Sequence, residues 1–304
     1  MRVLVTGGAG FLGTHLAAAL VAAGDEVTVL DNLRRGNRAY VPDGARFIEG
    51  DIRDVEVLHT VTRGVQRVYH LAAQSNVLGA VADVEYSFTT NVIGTYNVLV
   101  AARDAGVERA VFSSSREAYG EVDQIPVAED RAMNPKNAYG ASKVAGEVYC
   151  RAFQGGYGLE VSVVRLANVY GAGDHGRVIP LWLGRASRGE DRELYGGEQV
   201  LDFVPVETVV AALRRASATA LEGQPVNVGS GKGTTLRELA ARVSALPGAI
   251  GGVRVLPARP VEVTRFVADV TRMRSLLGVE PPSDPLAGLE ALWEQTRVAK
   301  RVLR

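Results

Sequence analysis

A tyrosine and a lysine four residues apart, in Asn137-Ala138-Tyr139-Gly140-Ala141-Ser142-Lys143, are the side chains of this sequence best suited to moving a proton. That spacing puts both on one face of a helix. An ammonium beside a phenol favours the phenolate, so Lys143 is expected to draw the Tyr139 pKa down from about 10 toward the working pH. A phenol so tuned can take or return a hydroxyl proton. A second source of hydroxyls is Phe112-Ser113-Ser114-Ser115-Arg116-Glu117-Ala118-Tyr119-Gly120, which follows an apolar run. Taken alone, the pair also suits a surface helix, and the serines a turn or a helix cap.

The element that must position these groups opens the chain. Val3-Leu4-Val5 reads as a strand, Thr6-Gly7-Gly8-Ala9-Gly10-Phe11-Leu12-Gly13 as a glycine turn, and the Ala/Leu-rich run beyond it as a helix. A second strand, Val27 to Leu30, ends at Asp31, 18 residues past Gly13. Small residues in a G-x-x-G-x-x-G turn let the backbone approach a pyrophosphate, which then sits on the open N–H groups of the helix N-terminus. Asp31 stands where a carboxylate accepts both ribose hydroxyls and repels a 2′-phosphate, so NAD is expected over NADP, with Arg34 and Arg35 nearby as a countervailing signal. The tyrosine–lysine pair then becomes the proton partner of a hydride transfer at a nicotinamide.

Further strands are expected at 46–48, 67–71, 109–113 and 161–165, with helices at 53–62, 91–105 and 138–156. Strict alternation implies a Rossmann-type, doubly wound parallel sheet, with ligands beyond the carboxyl ends of its strands. Past residue 170 the pattern loosens into Gly/Pro-rich segments, including Gly171-Ala172-Gly173-Asp174-His175-Gly176. A cofactor-binding domain over 1–168 and a smaller, interleaved substrate lobe over 169–304 are therefore expected, with Val226-Asn227-Val228 among the segments returning to the main sheet.

Lys plus Arg and Asp plus Glu each total 34 in a chain of 304 residues, a balance that gives no pull toward nucleic acid or an anionic membrane. A single cysteine, Cys150, excludes an intramolecular disulfide and a Cys-rich metal site and reads as a small packing residue on a helix, so no metal is expected. With no leader-like segment before the first strand and no apolar run of about 18 residues, a cytoplasmic protein without a membrane span is expected.

Together with Tyr139/Lys143 and the serine run, His70-Leu71-Ala72-Ala73-Gln74, Asn91-Val92-x-Gly94-Thr95-x-Asn97 and Asn168-Val169-Tyr170-Gly171 make the chain resemble the extended short-chain dehydrogenase/reductases. Within them it looks most like the nucleotide-sugar epimerases of the UDP-glucose 4-epimerase type. Late markers of the resemblance are Asp202-Phe203-Val204, Asn227-Val228-Gly229-Ser230-Gly231 and Ala268-Asp269-Val270. The resemblance implies an NAD site made of Gly7, Gly10, Phe11, Leu12, Asp31, Asn32, Asp51, Ile52, Leu71, Ala72, Ala73, Gln74, Asn91, Ser113, Tyr139 and Lys143, with Asp51 and Ile52 at the adenine. It implies Ser115, Tyr139 and Lys143 as the catalytic set, Ser115, Arg116 and Glu117 at the sugar, and Asn168 and Arg259 toward the diphosphate of a UDP-sugar or other nucleoside-diphosphate sugar. A homodimer is likewise implied.

Two departures stand out. Leu201 occupies a place where many relatives carry an arginine, removing one guanidinium that would pair with the diphosphate, for which Arg177 could compensate. Arg116-Glu117 occupies the place of an Asp-Glu pair in related 4,6-dehydratases, and an arginine cannot serve as the acid there. Glu117 is either a base at C5 or a structural carboxylate. The expected activity is NAD-dependent 4-epimerisation of a UDP-hexose through a 4-keto sugar. The alternatives are a UDP-glucuronate decarboxylase, a uronate epimerase or a dehydratase of the same family, and, from another class, a non-catalytic NAD-sensing protein.

Overall fold

The computed structural model describes residues 1–302; residues 303 and 304, the end of the expected lobe, lie outside the described residues. Strands β1 (Arg2–Thr6), β2 (Glu26–Asp31), β3 (Arg46–Glu49), β4 (Arg67–His70), β5 (Arg109–Ser115) and β6 (Glu160–Leu166) form the first part of the main sheet. They alternate with α1 (Phe11–Ala22), α2 (Val55–Val61), α3 (Val77–Ala82), α4 (Val84–Phe88), α5 (Thr95–Asp104) and α6 (Ala138–Tyr157). Beyond β6 come β7 (Asn168–Tyr170), α7 (Val178–Arg188), β8 (Arg192–Tyr195), β9 (Val200–Pro205), α8 (Val206–Ala218) and β10 (Val226–Val228). The chain continues through β11 (Gly233–Thr235), α9 (Leu236–Ser244), β12 (Val253–Leu256), β13 (Arg265–Phe266), α10 (Thr271–Leu277) and α11 (Leu289–Val302).

The main sheet has seven strands in the order β10-β6-β5-β4-β1-β2-β3, all parallel. Its strands read as continuous apolar runs because both faces are covered. In β1 the alternation is visible residue by residue: Val3 and Val5 join the core beneath α1 and α8, whereas Leu4 points to the opposite core with Leu30, Phe112 and Cys150. The order reverses between β1 and β4, so a crevice opens beyond their carboxyl ends.

The helix expected from residue 91 begins differently. Thr89–Gly94 is a wide π-type turn, and regular α5 starts at Thr95. In this wide turn the Asn91 side chain faces the Gln74 backbone, donating to its carbonyl at 3.2 Å and accepting its N–H at 2.7 Å.

The second lobe has a core of its own, around Tyr170, Trp182, Phe203 and Trp293. Beside the main sheet stands a separate four-stranded sheet centred on β9, which pairs with β7, β11 and β13. Asp202 explains why three distant sequence markers occur together. Its buried carboxylate accepts from Ser230 N–H and Oγ–H, each at 2.7 Å, and from Gly231 and Ala268 N–H, each at 3.0 Å. One aspartate thus ties the 229–231 turn and the segment before Asp269 to β9, and losing it would leave several buried donors unpaired.

Candidate active site

The crevice is a cavity of about 550 Å³ running from the β1–α1 turn to the second lobe. At one end the glycine turn has no room for side chains. A Cβ on Gly7, whose φ is +72°, would lie 2.7 Å from Ala72 N, and one on Gly13 would lie 2.2 Å from Gly7 O. Gly10 precedes helix α1 with no side chain to cap it, which leaves the first-turn N–H groups for an anion.

Asp31, at the end of β2, accepts Ala9 N–H at 3.0 Å on one oxygen and Leu33 N–H at 2.9 Å on the other. Burial raises its pKa, against the pull of those two bonds. Each oxygen keeps a lone pair for a ribose hydroxyl, so the residues present fit a dinucleotide. Ile52, Asn32 and the Leu71–Gln74 segment line the same end. Two expected residues stand behind this wall rather than on it. Asp51 accepts from Asn32 at 2.8 Å and pairs with Arg53 at 2.8 Å; although burial opposes its charge, these partners hold it at about 2. Asn91 fixes Gln74 and donates to Ser142 Oγ at 2.9 Å. Both are positioning residues here. Arg34 lies 3.5 Å over the Tyr86 ring and pairs with Asp83 at 3.2 Å, so its charge already has partners.

The proton-transfer end is assembled where β5 meets the start of α6. The alternation of a strand separates the three serines. Ser113 and Ser115 line the cavity together with Tyr139, and the Ser115 hydroxyl accepts Glu117 N–H at 3.2 Å. Ser114, also at the cavity wall, turns its hydroxyl to Glu147, which is locked to buried Arg165 at 2.7 Å. The closeness of α6 depends on Gly140, whose Cβ would come 2.4 Å from Glu117 O. Asn137 caps the helix by accepting Gly140 N–H at 2.9 Å.

The direct tuning expected of Lys143 is not what the structure holds. Lys143 Nζ donates to Ser113 O at 2.7 Å and lies 5.8 Å from the Tyr139 ring centre. Burial pushes the Tyr139 phenol up to about 12, against the charge of Arg177 and the neighbouring Ser115 hydroxyl, while burial pulls the Lys143 ammonium down to about 8. Helical spacing put the two residues on one face; the long lysine stem then reached back to the strand. The cations acting most on the phenol are Arg177 first and Arg116 second.

Glu117 is committed on both oxygens, to Arg116 Nη2 at 3.0 Å and to Asn137 Nδ2 at 2.8 Å. Of the two readings of this residue, the contacts favour the structural carboxylate. Across the cavity Arg177 pairs with Asp174 at 2.8 Å and lies 5.5 Å over Phe11; Arg259 pairs with Glu262 at 3.0 Å and stacks 3.7 Å over Tyr195. Asn168 lines the wall and donates to Asp202 O at 3.1 Å, and Leu201 lines it too. Trp182, Arg185, Glu193, Tyr195 and Gln199 complete that wall and were not anticipated. They sit on α7, β8 and the turn before β9 at no motif spacing, although Trp182 and Arg185, three apart on one helix, form a face that the sequence could have flagged.

The model of the NAD dependent epimerase/dehydratase family matches residues 3–229. The chain belongs to that family. It is 37% identical to the UDP-glucose 4-epimerase of Mycolicibacterium smegmatis, covering 92% of this chain and 94% of the relative. Among solved structures it resembles the Thermotoga maritima UDP-glucose 4-epimerase with UDP-glucose (TM-score 0.94, 33% identity, 99% of this chain and 100% of that one). It also resembles the Thermus thermophilus UDP-glucose 4-epimerase in complex with NAD (TM-score 0.92, 37% identity, 98% and 100%). The cofactor is accordingly NAD, and the protein is an NAD-dependent sugar epimerase on a Rossmann-type fold.

Proposed function

We propose that this enzyme interconverts UDP-hexoses at C4 through a transient 4-keto sugar, with UDP-glucose and UDP-galactose as the reference pair. The observation that carries the reading is the convergence of Ser115 and Tyr139 at the end of a cavity whose other end is a dinucleotide cradle.

Bound NAD supplies a hydride acceptor and donor. Tyr139 takes the proton of the 4-hydroxyl and later returns it, while Ser115 holds the C4 oxygen within reach of the phenol. Arg177 and Arg116 oppose the burial that raises the Tyr139 pKa. Lys143 fixes the end of β5 through Ser113 O. Arg177 and Arg259 face the diphosphate from the second lobe, exchanging their carboxylate partners for phosphate oxygens. Anchoring at the diphosphate leaves the sugar free to turn and present the other face of C4. This division of labour assigns the cofactor to residues 1–168 and most substrate contacts to the segment beyond.

The same reading includes a cytoplasmic homodimer. Among the described residues no helix is long and apolar enough to cross a membrane, and the one cysteine, Cys150, is buried and unpaired. Phe88, Ile93, Tyr96, Val148, Tyr149 and Tyr157 are exposed on α4, the π turn, α5 and α6, with the Tyr96 and Tyr149 rings 5.5 Å apart, an apolar face suited to a two-fold partner. The activity is tested by proton NMR of UDP-glucose with the purified enzyme: UDP-galactose should accumulate to equilibrium, and unchanged UDP-glucose would refute it.

A further inference from the structure

Helix α6 carries a third buried functional group besides Tyr139 and Lys143. Tyr139, Lys143 and Glu147 are four apart, on one face of the helix. The first lines the cavity and the second holds Ser113 O, whereas Glu147 stands behind the cavity wall, paired with Arg165. The two side chains are 3% and 4% exposed. Taking two charges out of water is expensive, and an apolar pair of similar volume often serves stability as well or better. The pair therefore calls for a role besides stability.

Its geometry fixes a register. Glu147 Oε1 accepts Arg165 Nε–H at 2.9 Å and Oε2 accepts Nη2–H at 2.7 Å, a fork that admits one relative placement. Ser114 Oγ–H donates to Glu147 as well, and Ser114 and Arg165 are neighbours in the register of β5 and β6. One carboxylate of α6 is thus fastened to two adjacent strands. The remaining Arg165 N–H groups go to Tyr119 Oη and Glu129 O, each at 2.8 Å, and to Met133 Sδ at 3.5 Å, so all five donors are used. Tyr119 Oη–H donates to Asn227 Oδ1 at 2.6 Å, and Asn227 Nδ2–H to Val127 O at 2.8 Å. The guanidinium is held on every side, and the carboxylate it grips cannot slide.

The apolar contacts of α6 act in another direction. A Cβ on Gly146 would lie 2.5 Å from the Phe112 ring, and one on Gly140 would lie 2.4 Å from Glu117 O. These glycines set how near the helix lies, but a bare backbone against a ring offers nothing to stop a shift along the axis. Tyr139 is on the same rigid helix two turns from Glu147, so a shift at Glu147 reaches the phenol in full. A misplacement of about 1 Å can cost about a hundredfold in rate.

We infer that the Glu147–Arg165 pair, with Ser114, is the pin that sets the height of Tyr139 in the cavity, which makes Glu147 a positioning residue for proton transfer at C4. The inference rests on the C4-epimerase reading.

The test uses Glu147→Met/Arg165→Met, which keeps the core filled without charge, together with Glu147→Gln and Ser114→Ala. Each is assayed for kcat and KM with UDP-glucose, for copurified NAD and for its melting temperature. The double variant should melt near the parent and carry NAD at the parent level, while kcat falls about tenfold to a hundredfold at a KM within about threefold. Glu147→Gln, which keeps one arm of the fork, and Ser114→Ala, which cuts only the tie to β5, should lie between it and the parent. A double variant with kcat within about threefold of the parent overturns the pin and leaves the epimerase reading standing. A kcat loss matched by loss of NAD does the same, since it reports a general loosening. If the double variant does not fold, Glu147→Gln decides in its place, and an unchanged kcat there overturns the pin. A parent that leaves UDP-glucose unchanged overturns the two together.

Discussion

At the scale of single residues, Tyr139 is the group on which turnover depends most. Tyr139→Phe removes the phenol that lines the cavity beside Ser115 and should lower kcat about a hundredfold to ten-thousandfold while copurified NAD stays near the parent level. Activity within about threefold of the parent would reject the role. Asp31→Gly should weaken NAD and narrow the gap to NADP, because the carboxylate that repels a 2′-phosphate is gone; titration calorimetry with both cofactors measures it. These two residues were legible in the sequence because each belongs to a fixed spacing. The electrostatics around Tyr139 were not. Helical periodicity places Lys143 on the same face but does not say where a flexible four-carbon stem ends, and its ammonium is spent on Ser113 O. Arg177 acts on the phenol from 38 residues further along the chain, and no local pattern couples them.

At the scale of elements, strand and helix positions followed from apolar runs and glycine punctuation, since a parallel sheet covered on both faces leaves few alternatives. The π turn at Thr89–Gly94 was not legible, because it depends on Asn91 reaching the backbone after β4, a contact between segments. The same region carries a pH dependence. His70 at the end of β4 is buried between Thr6 Oγ1 at 2.8 Å and Thr95 Oγ1 at 2.9 Å, and burial, aided by Lys143, lowers its pKa to about 3. In the unfolded chain it titrates near 6.5. Its folded pKa being depressed, the unfolded chain binds the proton first: stability is full above about pH 6.5 and falls as pH drops toward 3. Urea melts at pH 7 and pH 5 should differ by about 2 kcal/mol more in the parent than in His70→Gln. An equal loss in both would place the acid sensitivity elsewhere.

At the scale of the whole molecule, the fold brings a cradle from the first 36 residues, a proton carrier from α6 and a wall from the second lobe around one cavity. The first two were legible; the wall was legible only at Asn168, Arg177 and Arg259, because a loosely patterned lobe folds around Asp202 rather than around a repeating period. On the proposed mechanism the chemistry stays at C4, and Glu117, the carboxylate next along from Ser115 and Arg116, plays a structural part, paired with Arg116 and held by Asn137. The central claim is therefore that no carbon-bound proton exchanges with solvent. The decisive measurement is the reaction of a UDP-sugar in deuterated water followed by NMR, with the parent and with Glu117→Gln. The C4 epimer should form with no deuterium on any carbon, and Glu117→Gln should retain substantial activity. Deuterium at C5 or C6, or release of carbon dioxide from a UDP-uronate, would contradict the account.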